Sequence, residues 1–314
     1  MILDVAPLVE RLVPGLLRHA RPSVACVCTT RPKYLVFDGD ASQPVCVVEF
    51  GREARLTQID RILSALQSRM PSGAVPRSLC CTHWQHGVFV HIQEGLPGVP
   101  WFRLADGLAT PGAWESLLAR SLSVMLRLHA ATREVPEWTG TTDAGTELAR
   151  QVELCRRNGT TLGNTVLRRV GEWRHELDGA GRIRAWWQHG DFSLNNLLVS
   201  NDSMAVIDFD EFGGTLVPLH DAFGLALSMS LSQDGRCPLS AAQCLNACVG
   251  RSLTDAALAT EHLPGLLMHH LLWRINQCHG VARRAPLRDA LLGLARQLAD
   301  TPGVFLADLA PVLA

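Results

Sequence analysis

Lysine is almost missing from this 314-residue chain: Lys33 stands alone among the 29 lysines and arginines. The skew toward arginine reads as coding bias in a GC-rich genome, and it leaves one ammonium group for any task that requires one. No apolar run approaches 18 residues, which excludes a membrane-spanning helix. With no signal peptide recognisable at its start, a cytoplasmic location is expected. Formal net charge is only −1, so neither nucleic acid nor an anionic membrane is a favoured partner. None of the ten cysteines forms a C-x-x-C pair, and reduced, packed thiols are expected rather than a disulfide scaffold. Cys80-Cys81-Thr82-His83-Trp84-Gln85-His86 and the Cys244/Cys248 pair could be drawn as zinc ligands, but no second half repeats them. Internal repeats and low-complexity tracts are absent as well.

With 47% hydrophobic residues, the chain can bury a large core, as one two-lobed unit. Its most informative stretch runs from Trp186 to Asp210. Leu197-Leu198-Val199 and Ala205-Val206-Ile207 are apolar, too short for helices and joined by the turn formers Ser200-Asn201-Asp202-Ser203, so a β-hairpin is expected. That hairpin would gather Asp191 and Asn196 from the loop before it and Asp208 at its exit. Two carboxylates and an amide so placed suit phosphoryl transfer: Asp191 orients the acceptor hydroxyl and takes its proton, while Asn196 and Asp208 hold magnesium against nucleotide phosphates. Between Ala185 and Gly235 there is no Lys or Arg, yet Asp191, Asp202, Asp208, Asp210, Glu211, Asp221 and Asp234 all lie there. A polyphosphate would be repelled from such a segment unless divalent cations intervened.

The Asp191-to-Asn196 spacing equals that of the protein-kinase loop H-R-D-x-x-x-x-N, with Gly190 in place of Arg, and Asp208 falls at the metal-binding Asp of D-F-G. His189-Gly190-Asp191 with Asn196 and Ile207-Asp208-Phe209-Asp210 resembles the aminoglycoside phosphotransferase and choline kinase family of small-molecule kinases. Pro218-Leu219-His220-Asp221 is similar to that family's G-x-P-x-x-D continuation, in which the last Asp braces the loop. The resemblance implies an α+β, two-lobe protein-kinase-like fold: a small antiparallel-sheet lobe over 1–92, a hinge over 93–100 and a larger helical lobe over 101–314. It implies ATP (or GTP) and Mg2+ as cofactors and a small-molecule hydroxyl substrate. Asp191 would be the catalytic base with His189 bracing its loop, Asn196 and Asp208 the metal ligands, and Gln93, Glu94 and Leu96 the hinge that reads the purine edge.

The chain order agrees. Leu8, Val9, Leu12, Val13, Leu16 and Leu17 stand at helical spacing, so a short amphipathic helix is expected within 1–20, then strands at Val24–Cys28, Lys33–Phe37 and Pro44–Phe50. A helix at Arg55–Gln67 and strands at Ser78–Cys81 and Gly87–Ile92 follow. Helices are expected at Trp114–His129, Thr146–Arg157 and Thr165–Glu176, with three or four more after the hairpin. His129 reads as a buried structural histidine. His220-Asp221 alone would suggest a metal phosphohydrolase pair, but no companion ligands accompany it.

Two features depart from the family. Its third strand carries a lysine that binds phosphates and pairs with a helix glutamate; here Val47-Val48-Glu49-Phe50 puts Glu49 in that place, and Gln58, Ile59 and Asp60 sit where the glutamate is expected. Thr29-Thr30-Arg31-Pro32 replaces the glycine-rich turn. Either Lys33, at the start of the second strand, supplies the cation (with Arg31 and Arg52 close in sequence), or the chain is a pseudokinase that binds nucleotide or a partner without turnover. Polycationic aminoglycosides would want an acidic C-terminal lobe, and 101–314 holds 22 acids against 19 arginines. A sugar or biosynthetic intermediate fits as well as an antibiotic.

Overall fold

The computed structural model describes residues 4–19, 21–28, 31–108, 110–201, 203–231, 237–256 and 258–303. The chain begins α1 (Val5–Leu12), β1 (Ser23–Cys28), β2 (Pro32–Phe37), β3 (Cys46–Gly51), α2 (Glu53–Gln67), β4 (Ser78–Gln85), β5 (Val88–Glu94) and β6 (Val99–Pro100). It continues through α3 (Pro111–Arg133), β7 (Thr141–Thr142), α4 (Ala144–Arg157), α5 (Asn164–Gly179), β8 (Ile183–Arg184), β9 (Leu197–Val199) and β10 (Met204–Val206). The helices α6 (His220–Ser230), α7 (Ala241–Ala256), α8 (Leu263–Gln277) and α9 (Ala285–Asp300) follow. The α+β class and the strand-strand-strand-helix-strand-strand opening are as expected. Two compact units result: Met1–Ala109 with Ala130–Val135 and Leu194–Glu211, and Thr110–His129 with Pro136–Ser193 and Phe212–Ala314.

The first unit is built on a five-stranded antiparallel sheet of order β1-β2-β3-β5-β4. Strand alternation sends Val36, Cys46, Val48, Val90 and Ile92 to one face, where Val5, Leu8 and Val9 of α1 seal them. The opposite face turns Lys33, Glu49 and His91 inward, since Lys33 pairs with Glu49 and Glu49 with His91 across the strands. The α2 helix packs against β3, β4 and β5 and buries Leu56, Ile59, Ile62, Leu63 and Leu66, the residues its apolar spacing singled out. A three-stranded sheet of order β10-β9-β6 completes the unit, with Leu197 opposite Val206 in the expected hairpin.

The second unit is mostly helical. The α8 helix is apolar nearly all round and sits in the middle, touching α4, α5, α6 and α9. Asp143 caps α4 by accepting from the Thr146 amide at 2.8 Å. Among the described residues no helix is long and apolar enough to cross a membrane.

Several boundaries shift for physical reasons. The short opening helix ends at Leu12, ahead of the apolar Leu16 and Leu17, because Val13 precedes a proline and Gly15 adopts φ +77°; residues 1–3 and Ala20 lie outside the described residues. Gln93 and Glu94, read as connector, are the last rungs of β5, where Gln93 pairs with Val47 and Ser78. The chain leaves the strand only at Gly95, where an added Cβ would stand 1.9 Å from the Pro44 carbonyl oxygen. Thr29 and Thr30 of the poor glycine turn, Asp202 of the hairpin turn and Asp234 of the acidic stretch also lie outside the described residues.

Candidate active site

In the first unit the β9–β10 hairpin does the positioning. The Ile207 amide donates to the Asn196 carbonyl at 3.0 Å, so the residues flanking the two strands come to one end. Asp208 follows at φ +69°, a left-handed conformation that costs a non-glycine residue about 1 kcal/mol or more. Asn196 is largely buried, and the neighbouring Asn195 accepts from the Trp101 indole at 2.9 Å.

The Asp208 carboxylate meets the lone lysine, with Lys33 Nζ 2.9 Å from its Oδ1. Burial alone would lower the Lys33 ammonium, but the charges of Asp208, Glu49 and Asp210 outweigh it and raise it above its ordinary value. Lys33 is therefore charged at any physiological pH.

Glu49 is 1% exposed and is not orphaned. Arg55, from the first turns of α2, donates from Nη2 to Glu49 Oε1 and from Nη1 to Asp210 Oδ1, each at 2.6 Å. Arg31 Nη1 reaches the other Asp210 oxygen at 2.8 Å. Burial disfavours the Arg55 cation, yet the two carboxylates more than compensate and raise it. The strand–helix ion pair the family resemblance implies is thus present with its signs exchanged: acid on β3, cation on α2. Gly51 permits it, because a Cβ there would lie 2.8 Å from Arg55 Nη2.

At the end of β5, the Glu94 amide is bonded to the Arg77 carbonyl at 2.8 Å and the Gly95 amide to that of Val45 at 3.0 Å. The Glu94 side chain pairs with Arg77, and Leu96 is buried.

The second unit holds His189 and Asp191, and its organiser is Asp221. This fully buried carboxylate accepts from the backbone amides of His189 (Oδ2, 2.8 Å) and Gly190 (Oδ1, 2.9 Å) and pairs with His129 Nε2 at 3.0 Å. Burial pushes Asp221 up, but the His129 hydrogen bond and the surrounding imidazoles pull harder and hold it below the carboxylate range. Gln188 ties the loop from both directions: its Oε1 accepts from the Asp221 amide at 3.1 Å and its Nε2 donates to the Val217 carbonyl at 2.7 Å. His189 Nδ1 faces the Asp191 amide at 3.3 Å. His220 Nε2 lies 3.1 Å from the Gly190 carbonyl, and its Nδ1 lies 3.1 Å from His270 Nδ1. Burial drives His220 down to about 4, so it is neutral and able to donate one proton along that chain. From the same α8 helix, one turn past His270, Arg274 Nη1 donates to Asp191 Oδ1.

Of the residues singled out from sequence, Lys33 and Asp208 are brought into contact, Asn196 and Asp208 share one end of the hairpin, and His189 sits beneath the Asp191 amide. Gln93, Glu94 and Leu96 follow one another off β5. Sequence reasoning missed Arg55, Arg274, His270 and the bracing role of Gln188. Among the described residues no group of three or more His, Cys, Asp or Glu could hold a metal ion.

This sheet, hairpin and helical unit are those of the protein-kinase-like phosphotransferases. The family model for the phosphotransferase enzyme family matches residues 31–255, most of the chain, and the chain belongs to that family. It is a phosphotransferase. Among solved structures, a glucosamine kinase in complex with glucosamine, ADP and inorganic phosphate is similar over 96% of this chain and 86% of its own (TM-score 0.63, 17% identity). A thermostable mutant of aminoglycoside phosphotransferase APH(4)-Ia, in a ternary complex with AMP-PNP and hygromycin B, is similar over 94% and 97% (TM-score 0.65, 13% identity). At these identities the likeness speaks for the fold. Comparison with curated protein sequences gives no match.

Proposed function

We propose that the protein transfers the γ-phosphoryl group of ATP (or GTP) to a hydroxyl of a small molecule. The observation that carries this reading is the ion pair of Lys33 with Asp208. It sets the chain's single ammonium group beside the residue assigned to the metal, so the cation missing from β3 is supplied from β2. The pseudokinase alternative rested on that missing cation and loses its motive.

Asp191 orients the acceptor hydroxyl and accepts its proton as the oxygen bonds to the γ-phosphorus; the bond to the β-phosphate oxygen breaks and ADP leaves with its electron pair. Asn196 and Asp208 are the oxygen ligands for magnesium, which when bound neutralises the phosphate charge. Lys33 faces the phosphates, with Glu49 behind it held neutral as a pair by Arg55. Because the Glu94 and Gly95 amides are taken up within the first unit, the purine edge falls to the Glu94 carbonyl and the Leu96 amide. Asp221, Gln188 and His189 keep the loop rigid, so that positioning supplies much of the rate. Glucosamine and hygromycin B, the acceptors named for the similar structures, set the size of compound expected.

The test is ADP formation from Mg-ATP over a panel of hydroxyl compounds, alongside calorimetry of nucleotide binding. Asp191→Asn is expected to lower kcat by about a hundredfold or more with nucleotide affinity little changed. Turnover unaffected by Asp191→Asn, or ATP binding indifferent to magnesium, refutes the reading.

A further inference from the structure

The helix that braces the candidate base also decides what can approach it. Arg274 touches the Asp191 carboxylate, and any hydroxyl that gives its proton to Asp191 must lie within one side chain's reach of that guanidinium. Both side chains are about one-quarter exposed, Arg274 24% and Asp191 27%, so the pair faces accessible space. One turn further along α8, Gln277 offers its carbonyl to Arg284 Nη1 at 3.1 Å, which folds a second guanidinium back over the end of the helix. At Cys278, the next residue, burial raises the thiol, the charges of Arg274, Arg284 and Arg288 oppose the rise, and that of Asp191 adds to it. From Leu263 to Ala299 the chain carries five arginines and a single acid, Asp289, and Asp289 is paired with Arg288 at 3.1 Å. A polycationic acceptor approaching Asp191 would meet like charge from Arg274.

Resting on the kinase reading, we propose that the acceptor is a hydroxyl compound bearing an anionic group, a carboxylate or a phosphate, and that Arg274 with Arg284 binds that group. A guanidinium suits the task, since it carries five N–H donors in a planar fork and the Asp191 contact engages only Nη1.

The experiment compares kcat/KM for four acceptors of similar size: a neutral sugar, its sugar acid, its sugar phosphate and a polycationic aminoglycoside. Each is run with wild type, Arg274→Gln and Arg284→Gln. Calorimetry of the sugar acid and sugar phosphate in the presence of Mg-ADP accompanies it. One or both anionic acceptors are expected to be preferred, and the arginine variants to lower their kcat/KM by about tenfold or more while changing the neutral sugar far less. Which anion is preferred separates the carboxylate from the phosphate source. Preference for the aminoglycoside, or an equal loss for all acceptors in Arg274→Gln, which would mark a role toward the transferring phosphoryl group, overturns the proposal while leaving the kinase reading intact. Absence of ADP formation from every acceptor counts against the kinase reading. In that case Arg274-dependent anion binding in calorimetry sustains the anion site, and its absence removes that as well.

Discussion

Removing Arg55 should damage the protein more than removing either acid it holds. The Arg55 guanidinium pairs with a carboxylate, Glu49, that is 1% exposed, and it also bridges to Asp210. With charge centres about 4 Å apart and an effective dielectric near 20, each pair is worth about 4 kcal/mol before desolvation is subtracted. Arg55→Met keeps the apolar stem but removes the guanidinium that pairs with Glu49, and breaking a buried pair from one side costs about 3–5 kcal/mol. Glu49→Gln is milder, about 1–2 kcal/mol, because the amide oxygen still accepts from Arg55 and the Asp210 contact survives. In the double variant Glu49→Gln/Arg55→Met no buried charge is left behind, so its loss should fall short of the sum by at least about 1.5 kcal/mol. Because the protein has two units, a single two-state fit is unsafe. The assay is therefore amide hydrogen exchange in β3 and α2 at increasing urea, which reports the opening of that region. A cost below about 1 kcal/mol for Arg55→Met, or simple additivity of the two changes, would refute the account of the exchanged ion pair.

The buried histidines give a pH prediction. Burial lowers His91 and His220 to about 4 from 6.5 in the unfolded chain, so the unfolded state binds more protons between those values. Stability should be full above pH 6.5 and fall as the pH drops toward 4, by up to about 3 kcal/mol per histidine; a flat acid limb in urea midpoints measured from pH 7 to 4.5 would contradict it. Asp221→Asn should cost about 3 kcal/mol or more, because an amide side chain cannot accept from the His189 and Gly190 amides and His129 together. It should also lower kcat with little effect on nucleotide affinity, and equal kcat in the variant would count against the bracing role.

The parts legible from sequence are those carried by short offsets. Asn196 and Asp208 flank one hairpin whose strands announce themselves by apolarity and turn residues, and the α2 face is plain from Leu56, Ile59, Ile62, Leu63 and Leu66. Lys33 could be named as a candidate cation because it is the chain's one lysine. Arg55 was hidden by a sign: a lysine on β3 would require an acid on α2, whereas the partner here is a cation one turn before Gln58 to Asp60. The usable signal was Glu49 itself, an acid inside Val47-Val48-Glu49-Phe50, which must find a cation if the strand is central. Arg274 and His270 left no trace, since they meet Asp191 and His220 across 83 and 50 residues on a helix whose apolar surface suggests only packing.

The exchanged pair of Glu49 and Arg55 has a bearing on how this chain can drift. Restoring lysine on β3 alone would set it against Arg55, and restoring glutamate on α2 alone would set it against Glu49. Even both changes together would bring the new glutamate up to Asp210, which Arg55 now holds. Three positions must therefore turn over at once before a third-strand lysine can be seated, and a survey that recognises kinases by that lysine will pass over this chain.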